Sequence, residues 1–258
     1  MAATAQGAGG PRLQDPYLEP VVQARADLAA ALRAAALYGF TEGIDNHFSL
    51  ALPGRDDAFL LNPFGPHWSE LSASDLLVVD GDGNVLVGEG EWEASAFAIH
   101  RGVHLARPSA RCVFHTHMPF ATAVAMTEEG LDTRASQNAM YFHGHLAQLE
   151  YGGLAGARAE GERIGEAVGD EVTVVLLRNH GVLVIGTDVA DAWHKLYFLE
   201  RACQAQVLAR STGQPLVRVT EDVATRTAGQ WADDRASAAR LFAAVKRELD
   251  RKNPGYER

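Results

Sequence analysis

The chain has 258 residues, 47% of them hydrophobic and 22% charged, which is the composition of an ordinary globular protein rather than a disordered or collagenous one. Its 23 Lys and Arg against 33 Asp and Glu leave a formal charge of −10 with no basic run, which excludes the electrostatic footprint of a nucleic-acid binder. Apolar stretches stop far short of the ~18 residues that span a bilayer, and Cys112 and Cys203 make neither a CxxC pair nor a disulfide framework. A cytoplasmic protein with no membrane or nucleic-acid partner is expected.

Residues 1–15 are rich in Ala and Gly and show no apolar face, so they are expected as a flexible arm. That leaves 16–258 as one domain, with a helical extension over about 215–258. Helical spacing runs from Tyr17 to Phe40, stopped near Gly39. Strand-like runs follow at Phe48–Leu52 and Phe59–Asn62, and again at Leu76–Asp80 and Asn84–Val87 around the turn Gly81-Asp82-Gly83. A helix is predicted over Ala94–Ala106, ended by Pro108, then a strand over Cys112–His117 and a short helix over Ala121–Met126. Ala157–Val168 reads as a helix. Strands at Val172–Leu177 and Val182–Ile185 enclose Arg178-Asn179-His180-Gly181, where Gly181 is the residue expected to take a positive φ. Val189–Leu208 is the longest amphipathic helix, and Ala228–Leu249 is predicted as a single final helix. Strands interleaved with helices place the chain in a layered α/β class, and the tight hairpin turns predict a mixed, partly antiparallel sheet.

Ten histidines occur, and their spacing matters more than their number. In His115-Thr116-His117 the period of two puts both imidazoles on one strand face, where two ring nitrogens can reach one divalent ion at ~2.0–2.1 Å. His180, in a strand-connecting turn, is the candidate third ligand. Three protein ligands leave a position open for substrate, as in a catalytic site. His100 and His104 form a rival pair on one helix face but have no carboxylate near them at helical spacing, and His143 and His145 form a second HxH with Gly144 between them and no strong strand run before them.

Gly43-Ile44-Asp45-Asn46-His47-Phe48-Ser49, Asn62-Pro63-Phe64-Gly65, Ala106-Arg107-Pro108 leading into His115-Thr116-His117, and Arg178-Asn179-His180-Gly181 together resemble the class II aldolase/adducin family in order and spacing, over roughly residues 20–212. The resemblance implies a three-layer α/β/α domain around the mixed sheet, assembled as a homo-oligomer, most simply a tetramer. It also implies one divalent metal ion per subunit, Zn2+ first with Fe2+ or Mn2+ as alternatives, held by His115, His117 and His180.

The departures from the sugar-phosphate aldolases bear on chemistry. Counting back nineteen residues from His115, where those enzymes carry a catalytic glutamate, reaches Ala96. Glu93 is the replacement candidate, with an equal claim to be a helix N-terminal acid. The family's phosphate-holding positions correspond to His47, Phe64 and Ala94, with only Gly65 and Ser95 retained. Each lost hydroxyl or amide removes a charge-assisted hydrogen bond of ~1.5–3 kcal/mol. His47, Phe64, Gly65, Ser95 and Asn179 are therefore expected to meet a substrate without phosphate; Asn179 and Arg178 could equally fix their turn. Such a pocket suits a metal-dependent carbon–carbon lyase, a decarboxylase or retro-aldolase, acting on an oxo- or hydroxy-acid, with Glu93, Tyr141 or a metal-bound water supplying a proton. Two alternatives remain: a non-haem iron oxygenase of an aromatic oxo-acid, and an adducin-like assembly module without catalysis.

Overall fold

In the computed structural model, which describes residues 19–55, 57–153 and 157–258, helix α1 (Glu19–Tyr38) buries an alanine- and leucine-rich face from Val21 to Ala35. Four strands follow as a meander: β1 (His47–Ala51), β2 (Ala58–Leu61), β3 (Leu77–Asp80) and β4 (Val85–Val87). The β3–β4 turn forms as expected, with the Asp80 carboxylate accepting the backbone N–H groups of Asp82 and Asn84, both at 2.9 Å. Helix α2 (Ala94–Ala106) is capped by Glu93, and β5 (Cys112–Thr116) leads to the short helices α3 (Pro119–Ala125) and α4 (Gln137–Met140). Then come β6 (Leu146–Leu149), α5 (Ala157–Val168), β7 (Val174–Leu177), β8 (Gly181–Gly186) and α6 (Val189–Ser211).

The eight strands form one sheet in the order β4-β3-β2-β1-β5-β8-β7-β6. Every pairing is antiparallel except β6 with β7, so the sheet is mixed as the hairpin turns predicted. One face carries α2 and α5 over Val113, Val175, Leu183 and Ile185. These helices touch through glycine: a Cβ on Gly102 would strike the backbone of Gly161, and one on Gly161 the backbone of Ala98. The other face carries α1, α3 and α6 over a core that includes Phe48 stacked on Phe114 with ring centroids 3.7 Å apart. Each such aromatic or aliphatic side chain contributes ~1.5–3 kcal/mol by leaving water. The result is a three-layer α/β/α arrangement.

Three expectations change. The single final helix is two, α7 (Glu221–Asp233) and α8 (Arg235–Lys252), because Asp234 leaves helical geometry and its carboxylate caps the second by accepting the Ser237 N–H. The strand β6 and the one-turn α4, begun by a Ser136 cap, were not expected. Gly181 lies inside β8, and Asn179 is the residue with positive φ, 56°. The arm over residues 1–15 lies outside the described residues.

Candidate metal centre

Strand β5 sits at the centre of the sheet with β1 on one side and β8 on the other, and these three strands deliver the histidines. Antiparallel pairing sets His47 opposite His115 and Leu183 opposite His115 on the other side. The strand end that carries His115 and His117 is therefore the end at which the β7–β8 turn presents His180. Asn179, exposed at the tip of that turn, absorbs the left-handed backbone geometry, which asparagine tolerates better than most residues. Gly181 is required for another reason: a Cβ there would meet the His117 ring and the Thr116 carbonyl at 2.6 Å.

The three imidazoles converge. One ligand atom from each of His115, His117 and His180 lies within 4.8 Å of the others, and among the described residues no further His, Cys, Asp or Glu joins them. His115 Nδ1 lies 3.0 Å from the Val182 carbonyl oxygen and donates to it. His117 Nδ1 lies 2.5 Å from the Glu42 carboxylate and donates likewise. Both rings are thereby held with Nε2 as the free lone pair, and the two Nε2 atoms face each other at 3.1 Å. Burial, followed by the neighbouring imidazoles His47, His180 and His117, holds His115 well below the usual histidine range, and burial followed by His117 lowers His180. Rings with paired lone pairs aimed at one point suit a cation, and Nδ1 partners of this kind orient metal-binding histidines.

Glu42 is the functional residue that sequence reasoning missed. It lies 75 residues from His117, directly before the Gly43–Ser49 segment, and nothing in that spacing links it to the strand that delivers His117. The His100–His104 pair is not a rival clamp. The two rings belong to a buried hydrogen-bonded row beside the triad: His47 Nδ1 to His100 Nε2 at 2.8 Å, His100 Nδ1 to Ser49 Oγ at 2.6 Å, Ser49 Oγ to His104 Nε2 at 2.8 Å, and His104 Nδ1 to the Ala110 carbonyl at 2.8 Å. The His47 ring also stacks on His115, with centroids 4.6 Å apart.

His47 is one wall of a narrow cleft whose other walls include Asn46, Asn62, Phe64 and Glu93. Phe64 is 41% exposed at its rim, and Gly65 beside it has φ 114°, open only to glycine. Glu93 accepts the Ala96 N–H at 2.8 Å and a hydrogen bond from the Ser95 hydroxyl. Burial would raise its carboxyl, but these bonds outweigh burial and leave it below the usual carboxylate range. It is thus an ionised helix cap facing the cleft, and no proton donor near neutral pH. Trp68, by contrast, is core, its ring tilted against Phe48 with centroids 4.6 Å apart.

Tyr141 is not gathered with the triad. It precedes β6 at the opposite end of the sheet, where its hydroxyl lies 3.1 Å from His194 Nδ1 and its ring stacks on Trp231 at 4.8 Å. Burial raises its hydroxyl well above the usual range. Within one chain the proton-donor role expected for it has no geometry. His143 and His145 also lie away from the centre, tied to Glu221 and to the Glu171 carbonyl.

Comparison with known proteins fits this geometry. Residues 26–207 match the family model described as "Class II Aldolase and Adducin N-terminal domain". An aldolase II superfamily protein from Pseudomonas syringae has the same fold with a TM-score of 0.88 and 35% identity, over 96% of this chain and 100% of that one. L-fuculose 1-phosphate aldolase from Glaciozyma antarctica PI12 aligns with a TM-score of 0.80 at 26% identity, over 95% of this chain and 96% of that one. Human beta-adducin is 31% identical over 191 residues, 73% of this chain and 26% of the adducin. No helix among the described residues is long and apolar enough to cross a membrane.

Proposed function

Because the chain belongs to the class II aldolase and adducin family, we propose that it is a divalent-metal-dependent carbon–carbon lyase, a decarboxylase or retro-aldolase, acting on a non-phosphorylated oxo- or hydroxy-acid. The observation that carries this reading is the convergence of two lone pairs 3.1 Å apart, each fixed by an Nδ1 partner, with a third imidazole within reach. An assembly module of the adducin type has no use for such a set. A divalent ion held by His115, His117 and His180, zinc by preference, supplies a Lewis acid for a substrate carbonyl and leaves a coordination position for it.

The chain's own residues set what can approach. Glu42 and the Val182 carbonyl keep His117 and His115 in their ligand tautomers. Glu93 already fills the start of α2 with a negative charge, so a phosphate there meets repulsion rather than the helix N–H groups. Phe64 and Gly65 form the rim, and Ser95 is committed to Glu93. Asn179 serves its turn. Decarboxylation fits this pocket because loss of carbon dioxide generates the enolate without a proton-abstracting glutamate, and with Glu93 held ionised the proton that completes the product would come from water. Assembly into a homo-oligomer, most simply a tetramer, belongs to the same reading.

The test is turnover of a panel of 2-oxo and 3-oxo acids by zinc-, manganese- and iron-loaded protein, with and without air. Release of carbon dioxide or an aldehyde without oxygen is expected. Activity only with ferrous iron and only in air, with labelled oxygen entering the product, would replace the lyase by an oxygenase. Efficient cleavage of a ketose phosphate would remove the non-phosphorylated substrate from the proposal.

A further inference from the structure

The row of hydrogen bonds behind the centre has a direction that its anchor decides. The Ala110 carbonyl can only accept, so His104 Nδ1 carries a proton and, in the neutral ring, Nε2 accepts. Ser49 Oγ has one hydrogen and gives it to His104 Nε2. It must then accept from His100, which places the His100 proton on Nδ1 and leaves His100 Nε2 as an acceptor. His47 Nδ1 donates to that atom. The end of the sequence is His47 Nε2, a lone pair without a proton, on a ring that is 4% exposed and lines the cleft.

The preceding residue supplies the complement. Asn46 is 2% exposed and also lines the cleft. Its Oδ1 accepts the Glu42 N–H at 2.8 Å, which fixes the orientation of the amide, and its Nδ2 has no partner. A buried donor left unpaired costs ~1–3 kcal/mol, and the cleft is lined both by this residue and by the ring whose Nε2 carries the lone pair. A hydroxyl is the small group that answers both, accepting from the amide and donating to the imidazole. A carboxylate or phosphate answers only the amide, and its charge faces that of Glu93.

We propose that this cleft is a hydroxyl-recognition subsite, in which a neutral hydroxyl of the substrate sits between Asn46 Nδ2 and His47 Nε2 while Ser49, His100 and His104 hold His47 in its accepting form. Ser49, His100 and His104 are positioning residues: they touch no substrate and act through His47. The subsite rests on the metal-centre reading for what binds beside it, and it narrows the substrate to an oxo-acid or aldol that carries a free hydroxyl near its carbonyl.

The experiment uses zinc-loaded protein and a set of metal-chelating probes that differ by one hydroxyl: acetohydroxamate, glycolohydroxamate and 3-hydroxypropionohydroxamate, titrated by calorimetry. At least one hydroxylated probe is expected to bind about tenfold tighter than acetohydroxamate, as two added hydrogen bonds in a closed site allow. That preference is expected to fall below about threefold in Ser49→Ala and to persist in Ser49→Thr, with acetohydroxamate affinity and zinc content unchanged in both. Nitrogen-15 spectra of histidine-labelled protein, assigned with His47→Gln, read the tautomer directly. His47 is expected to be protonated at Nδ1 alone in the native chain and to become a mixture in Ser49→Ala. Equal binding of all three probes by the native protein, or a preference indifferent to Ser49→Ala, overturns the subsite. Failure of acetohydroxamate itself to bind would strike the metal-centre reading instead. The His47 tautomer then still decides, because an Nε2–H ring overturns the subsite with or without a metal.

Discussion

The two ends of the sheet put their polar side chains to opposite uses. At the end where β6 and β7 begin lies a cavity of about 380 Å3 lined by residues such as Arg107, Tyr141, Asp191 and Lys195. Its central cations are already paired: Lys195 bridges Asp191 at 2.7 Å and the Ile185 carbonyl at 3.1 Å, and Arg107 donates to the Val172 carbonyl at 2.7 Å. At the other end the space is far smaller, yet His115 and His117 turn their Nε2 lone pairs on each other, and Asn46 keeps an amide proton without a partner. Volume measures how loosely elements meet. Unspent hydrogen-bonding and ligand capacity marks where a ligand belongs, and the smaller end has it at His115, His117 and Asn46.

The comparison breaks most sharply on the ligands. His117→Ala is expected to reduce bound zinc from about one per chain to near none in elemental analysis, with the fold retained by circular dichroism; unchanged zinc would place the ion elsewhere. Next, Glu42→Ala removes only the Nδ1 partner of His117 and should weaken zinc binding by about 10- to 100-fold in competition with a chelator. No loss would make that contact incidental.

A third effect tests burial at the same end. Burial pushes His104 down to about 4, outweighing the hydrogen bond to Ala110 that would raise it. Between pH 6.5 and 4 the unfolded chain therefore binds a proton that the folded chain does not, so stability is full above 6.5 and is lost as pH falls. From His104 alone the loss is about 3 kcal/mol, and His47 and His100, also held low by burial, act in the same direction. Urea midpoints that do not move between pH 7 and 5 would contradict it. The smallest effect belongs to the far end, where Tyr141→Phe removes the hydrogen bond to His194. A cost of about 1 kcal/mol in stability is expected, with zinc binding and turnover unaffected; lost turnover would return Tyr141 to the chemistry.

Residues that share one element were the legible ones. His115 and His117 lie two apart on a strand, so strand geometry alone aligns them, and His180 follows from the turn between two clear strands. Glu42 was not legible because its partner is supplied by a different part of the chain. The pair His100 and His104 was visible on one helix face, but its partners His47 and Ser49 sit on β1, so the pair suggested a clamp where the fold builds a relay. The fold failed to show where signals are short: β6 has four half-buried residues and no alternation. The break between α7 and α8 rests on a single aspartate within otherwise continuous helical spacing. Glu93 was legible in both of its readings, and only its bonds to Ser95 and Ala96 favour the cap.

The central claim is that the three imidazoles of His115, His117 and His180 hold one divalent ion. X-ray absorption at the zinc edge of the loaded protein tests it most directly. The account predicts a first shell of three imidazole nitrogens at ~2.0–2.1 Å with one or two light oxygen donors, reduced to two imidazoles or lost in His180→Ala. A shell containing sulfur, or one unchanged by His180→Ala, would contradict it.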